Sequence, residues 1–250
     1  MQVVDFSDKY IDYVAKCTHD DNPASDPVRV EWIRKALAKG AVIKVALDDS
    51  GKPVGFIHAI PIEWAWYVKG MELYFIPCIC VHYLDVYEKK TGKGRGRAML
   101  DALEDDLRTK TKGIAVTAFD NDFWFMPYTF FKKMGFKEVK RDGDAVLMVK
   151  QWADAPRPDL FTEKYIYRPI EGKIAVDMHY NSICPRDVKN TRETCAEFPC
   201  KVILREFDAG FGETKVGHGV YVNGVQVPGR EGDGMVLKET LRAKIESIIM

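Results

Sequence analysis

Residues 91–100 read TGKGRGRAML, three glycines and three cations in alternation just before the chain turns helical. Glycines lose more backbone freedom on folding than any other residue, so a run at 92, 94 and 96 is kept where a Cβ is not tolerated. Beyond it Ala98, Met99, Leu100, Ala102, Leu103 and Leu107 share one helical face, while Asp101, Asp105, Asp106 and Arg108 lie largely on the other. The stretch predicts a glycine loop opening a helix. Successive amides at a helix N-terminus, with the positive end of the helix dipole, make a cradle for a pyrophosphate-like anion. Walker A fails, because no G-x-x-x-x-G-K-[ST] occurs, and G-x-G-x-x-G fails, because Arg97 and Met99 stand where its third glycine belongs. A basic patch for nucleic acid would explain Lys93, Arg95 and Arg97 but not the alternating glycines. The competing reading is a solvated glycine turn.

Outward from the loop, strand and helix patterns alternate. Residues 26–39, DPVRVEWIRKALAK, combine a capping Asp, a proline in the first turn and Val30, Ile33, Ala36 and Leu37 at helical spacing, and Gly40 stops them. Strands are expected at 41–47 and 53–62 around the turn DDSGK, and a third apolar segment, MELYFIPCICVHY, spans 71–83. Downstream come a strand at 113–119, a helix around PYTFFKKMGF and a last strand, AVLMVKQW. Pro156, Pro158 and Pro169 then block regular structure, so 151–169 is read as a linker between domains at 1–150 and 170–250. The second reads as strand (173–180), helix (from CPRDVKNTRETCAEF), strand (201–209), hairpin turning at Asn223-Gly224 and terminal helix (235–249), a small α/β domain.

Composition bounds the function. The 250 residues, 46% hydrophobic, can bury an ordinary core, and a formal net charge of zero argues against a protein built to bind nucleic acid. No run of 18 apolar residues occurs and MQVVDFSDKY lacks signal-peptide regions, so a soluble cytoplasmic protein without membrane attachment is expected. The six cysteines form no CxxC pair, so no metal is expected.

The pattern strand, x-G-x-G-x-G-x-A-x-L, helix resembles motif A of the GCN5-related N-acetyltransferases, with Gly94 and Gly96 at its two glycine positions. YTFFKKMGF is similar to the family's "lYeklGF" segment, with Gly135 and Phe136 in register. The resemblance covers residues 1–150 and implies an α/β (α+β) fold, a mixed sheet with flanking helices. It implies acetyl-CoA as cosubstrate, its pyrophosphate held by Gly92, Lys93, Gly94, Arg95, Gly96 and Arg97, its pantetheine arm against the backbone of Ile79, Cys80 and Val81, and Phe131 beside it. The sequence departs from the family at Thr91, where Gln or Arg is usual, in the insertion YLDVYEKK, and at Phe131, which replaces a tyrosine that protonates the leaving thiolate; phenylalanine has no proton to give. Tyr128, one turn earlier, is the substitute candidate.

Acyl transfer to an amine needs a base and a polarised carbonyl. Glu72 is the first candidate base, followed by Glu63, His82 and Asp85, and an amide of Cys80 or Val81 is the candidate donor to the carbonyl. Trp64, Trp66, Tyr67 and Tyr74 suggest an aromatic wall for a small-molecule or peptide amine, or else packing. In the second domain Cys184-Pro185 falls where a strand hands over to a helix, which favours thiolate. The segment resembles a thioredoxin-like domain of the YoaP type, with Asp187 in place of the resolving cysteine and His218 in place of the cis-proline. The expected function is acetyl-CoA-dependent N-acetylation; the alternatives are an acyl-CoA-binding regulator with weak or no transfer, and a thiol redox protein centred on Cys184. Oligomeric state is not legible.

Overall fold

The structure, a computed structural model, describes residues 1–16, 26–81, 94–121, 126–185, 187–230 and 234–249. Two compact units divide it, Met1–Leu160 and Phe161–Met250.

In the first unit, a short helix α1 (Ile11–Val14) precedes α2 (Pro27–Ala38). The Asp26 carboxylate accepts from the amides of Val28 (2.8 Å) and Arg29 (3.3 Å), a cap worth about 1 kcal/mol. Strands β1 (Gln2–Asp5), β2 (Val42–Leu47) and β3 (Pro53–Pro61) lead to a two-residue β4 (Val68–Lys69) and to β5 (Tyr74–Val81). Helix α3 (Arg95–Leu107), β6 (Gly113–Phe119), α4 (Tyr128–Lys133), β7 (Lys137–Asp142) and β8 (Ala145–Gln151) complete the main body. The seven-stranded sheet runs β1-β2-β3-β5-β6-β8-β7, antiparallel throughout except for the central pair β5 and β6. A parallel pair needs a crossover, and α3 belongs to it.

Both faces of the sheet are covered. On one, Met99, Leu100, Leu103 and Leu107 of α3 and Phe131 of α4 pack with Ile57, Ile76, Ile79, Ile114, Val116 and Met148. On the other, Trp32 from α2 lies against His58, and Tyr13 from α1 meets Phe56 edge-on. The outer strand β7, KEVKRD, is almost wholly exposed, and its charges keep that edge from pairing with another chain.

The segment read as a linker carries β9 (Asp159–Leu160), which pairs with β4 at the end of the first unit. Two-residue strands have no periodicity for a sequence to display. In the second unit β10 (Ile174–Tyr180) and β11 (Val202–Asp208) are parallel and joined by α5 (Val188–Ala196); β12 (Gly219–Val222) and β13 (Val225–Gln226) form a hairpin, and α6 (Lys238–Ile249) closes the unit. The order is β11-β10-β12-β13, with β12 antiparallel to β10. Asn223 (φ 46°) and Gly224 (φ 86°) make the primed turn that Asn-Gly favours. The expected α/β class, a large mixed sheet with flanking helices, is observed, and a small α/β unit follows it.

Candidate functional site

Pro77 sits inside β5, a central strand, where an imino acid has no amide to offer. The ladder accommodates it twice over. Against β3 the register passes from His58↔Cys78 to Ile60↔Phe75, so Ile76 and Pro77 together oppose Ala59 in a bulge. Against β6 the pairing runs Tyr74↔Ile114, Phe75↔Ala115, Ile76↔Val116 and ends there. Among the described strands β5 keeps only β3 from Pro77 onward, while Thr117–Phe119 of β6 stay on β8 and Phe119 also bridges Pro127 in parallel. The two central strands part at the proline.

The backbone exposed by the parting can be assigned. A Cβ at Gly55 would lie 2.9 Å from the Cys80 carbonyl oxygen, so that carbonyl faces β3. Backbone groups alternate along an antiparallel strand, and Ile79 and Val81 therefore turn theirs toward the space vacated by β6. Cys80, grouped with them in the sequence reading, points its backbone the other way. On the β6 side, the Phe119 amide donates to the Met126 carbonyl (2.8 Å), which brings the segment before α4 along the opposite wall.

The N-terminus of α3 stands at this open end. Gly94 caps it with φ +72°, a left-handed conformation that an L side chain adopts only under strain, and its Cβ direction is open to 4 Å. Gly96 is needed for a different reason. A Cβ there would come within 3.3 Å of the Phe130 ring carbons Cε2 and Cζ and 3.9 Å of Ile79 Cδ1. The glycine thus lets α3, α4 and β5 converge. Arg97 is exposed in the first turn and Arg95 half-buried. Gly92, Lys93, His82 and Asp85 lie outside the described residues.

Several expected site residues lie elsewhere. Glu72 precedes β5 by two residues and Pro77 by five, roughly 16 Å of extended chain. It turns the backbone at φ 60°, and its carboxylate pairs with Lys112 Nζ at 2.8 Å, at the end of the sheet away from the parting. Glu63 is exposed in the 3-10 turn Ile62–Trp64, which follows β3 at that same end. Tyr128 is spent on β7: Arg141 and Lys132 lie over its ring (5.2 and 5.4 Å), and Arg141 in turn grips Glu138, holding that carboxyl below its usual range. Phe131 is fully buried, edge-on to Phe130 and Phe136, a core residue and not a groove wall.

The aromatic wall also divides. Trp66 meets Phe75 edge-on at 6.3 Å, whereas its neighbour Tyr74 packs toward α3 and donates to the Gly40 carbonyl at 2.8 Å. Adjacent strand residues point to opposite faces, so Trp66 and Tyr74 do not share a surface. Burial is the main cause of the raised Tyr74 hydroxyl pKa. Trp64 is half-buried in the 3-10 turn.

In the second unit Cys184 is half-buried at the turn between β10 and α5, its amide donating to Asn181 O at 2.8 Å. Three residues on, Asp187 is fully buried; it accepts from the Val236 amide (2.9 Å) and bonds His218 Nε2 (2.7 Å). Burial pushes the Cys195 thiol up to about 12, and Cys200 is exposed. Among the described residues no group of three or more His, Cys, Asp or Glu is placed to hold a metal ion, and no helix is long and apolar enough to cross a membrane.

Sequence reasoning passed over Pro77, although a proline within an apolar strand pattern signals a bulge or a lost ladder. It also passed over Arg29 and His58, buried polar side chains on the α2 face of the sheet. Arg29 shares the buried stripe of α2 with Trp32, Ile33 and Ala36, and His58 is the lone ionisable residue in PVGFIHAIPI.

A mixed sheet whose central parallel strands part beside a glycine-opened helix defines a class, and sequence comparison bears on it directly. Residues 8–136, more than half of the chain, match the family model described as Acetyltransferase (GNAT) family. The chain belongs to that family. No curated protein matches the chain. Among solved structures, the chain is similar to a GNAT-family acetyltransferase from Staphylococcus aureus (15% identity, TM-score 0.46, covering 60% of this chain and 98% of that one). A putative GNAT acetyltransferase from Desulfovibrio desulfuricans is similar at 18% identity, TM-score 0.45 and coverage of 60% and 98%. A GNAT-family acetyltransferase from Brucella melitensis in complex with acetyl-CoA is similar at 16% identity, TM-score 0.43 and coverage of 65% and 95%.

Proposed function

We propose that the chain is an acetyl-CoA-dependent N-acetyltransferase that moves acetyl directly to an amine. The observation that carries this reading is the parting of β5 and β6 at Pro77, with the N-terminus of α3 at its open end. The opening amides of a helix have no acceptor within it, and through Gly94–Arg97 they suit the pyrophosphate, with Arg95 and Arg97 adding charge. Ile79 and Val81 offer their backbone groups to the pantetheine arm, as a missing strand would. Acetyl-CoA supplies the activated acyl group. We assign the polarising donor to the Ile79 amide, supported by its position just past the bulge. Glu72 and Tyr128 are committed elsewhere and Phe131 has no hydroxyl, so none of these three supplies the thiolate's proton. Calorimetry with acetyl-CoA tests the site, and thiol release over a panel of amines tests the transfer. Absence of cofactor binding refutes the proposal; tight binding without thiol release for any amine favours the acyl-CoA-binding regulator.

For the second unit we read a thioredoxin-like domain of the YoaP type. Its support is the β11-β10-β12-β13 order with one parallel pair, and Cys184-Pro185 at the strand-to-helix turn. Asp187, buried and bonded to His218, stands where a dithiol enzyme needs its second thiol, which favours a binding or structural module over a redox centre. A thiol pKa for Cys184 clearly below the ordinary cysteine value of about 8.5, measured by iodoacetamide titration, would reverse that preference.

A further inference from the structure

Arg29 is 3% exposed and His58 is fully buried, both on the face of the sheet opposite α3. Arg29 Cζ lies 5.6 Å from the centroid of the Phe56 ring, and His58 stacks on the same ring at 5.0 Å. Phe56 opposes Cys80 and His58 opposes Cys78, so this pair sits beside the part of β5 that has left β6. Neither side chain is satisfied: Arg29 Nε and Nη2 and both ring nitrogens of His58 are buried without a hydrogen-bond partner among the described residues. Nε and Nη2 are the two donors on one edge of the guanidinium, the fork that takes a carboxylate bidentately. A buried guanidinium with that fork unpaired carries a desolvation cost that packing on Phe56 does not explain. His58 is held neutral by burial and by the Arg29 charge, so one ring nitrogen remains a hydrogen-bond acceptor.

We propose that Arg29 and His58 form the acceptor subsite, and that the amine acetylated is of amino-acid type, its carboxylate on the Arg29 fork and its amino group donating to His58. The carboxylate neutralises the arginine, the amino group meets an uncharged acceptor, and the reacting nitrogen lies beside the parted segment of β5. This rests on the acetyl-transfer reading above, and the test keeps the two separable.

Matched pairs decide it: alanine against ethylamine and phenylalanine against phenethylamine, with thiol release from acetyl-CoA and thermal unfolding of the full chain as readouts. The amino acid should exceed its decarboxylated partner in kcat/KM on the order of 100- to 1,000-fold, since a buried polar group left unpaired is heavily penalised. It alone should raise the unfolding temperature. Arg29→Lys keeps the charge but loses the fork, and should bring the ratio below about tenfold. Should that variant fail to fold, the wild-type pairs suffice. Equal kcat/KM, or equal thermal shifts, within each pair overturns the subsite. No transfer to any amine, with amino acids still raising the unfolding temperature and amines not, overturns the transfer reading and leaves the subsite standing.

Discussion

Gly96→Val separates a backbone cradle from a charge patch. A Cβ at this position meets Phe130 Cε2 and Cζ at 3.3 Å, tighter than ordinary carbon contact, and valine adds two methyls beyond it. Overpacking of this kind costs about 1–3 kcal/mol, while replacing a helical glycine returns up to about 1 kcal/mol, so the chain should lose no more than about 2–3 kcal/mol of stability. Acetyl-CoA binding should suffer more. The displaced Phe130 ring lies beside Ile79, whose backbone lines the parting, and the valine crowds the first-turn amides. We expect roughly 100-fold weaker binding, about 2.7 kcal/mol, by calorimetry. Phe130→Ala in the same background should relieve the overlap and recover most of the stability, with a coupling between the two sites of roughly 1 kcal/mol or more in a double-mutant cycle. Arg97→Ala should weaken binding only about threefold to tenfold, and less in high salt, because an exposed cation is screened. Binding by Gly96→Val within about threefold of wild type, together with a larger loss from Arg97→Ala, would refute the cradle.

Asp187→Ala should cost about 3 kcal/mol in urea midpoint measurements, because it strands the Val236 amide and removes the partner of His218 behind a fully buried position. With its thiol pushed up to about 12, Cys195 should stay unmodified by iodoacetamide at pH 8 while exposed Cys200 reacts; mass spectrometry of the native protein reads both. His58 is depressed well below 6.5 by burial, so the unfolded chain takes its proton first and stability falls as pH drops below about 6.5, by up to about 1.4 kcal/mol per pH unit. Urea midpoints at pH 7 and pH 5.5 measure the slope, and His58→Gln should flatten it, the remainder coming from His179, which burial also depresses.

The elements that place the proposed cofactor site write themselves into local sequence. Gly94 needs a positive φ, Gly96 needs room for Phe130, Asp26 and Pro27 start α2, and Asn223-Gly224 sets a hairpin; each requirement is met by one residue type at one position. The side-chain roles were less legible. Glu72 lies close to β5 in sequence, yet a strand rises roughly 3.3 Å per residue, and five residues carry it past the reach of a side chain. Tyr128 and Phe131 lie three apart on α4, but one end of that separation faces β7 and the other the core. A family motif aligns the positions without telling which way a six-residue helix is rolled.

The acceptor side of the sheet explains why residues 29 positions apart escape a reading by motif. Arg29 and His58 come from a helix and a strand whose patterns each contain one polar residue where an apolar one is due. Taken singly, a polar residue on a buried stripe reads as a tolerated exception. Folding places both on Phe56, and two exceptions on one ring, each with unmet hydrogen-bonding capacity, demand a common cause. Charge also orders the possible causes: a neutral amide would satisfy the imidazole but leave the guanidinium uncompensated, and an ordered water would satisfy its geometry but not its charge. Only an anion answers both, and the flat two-donor edge of Arg29 selects a carboxylate among anions of that size.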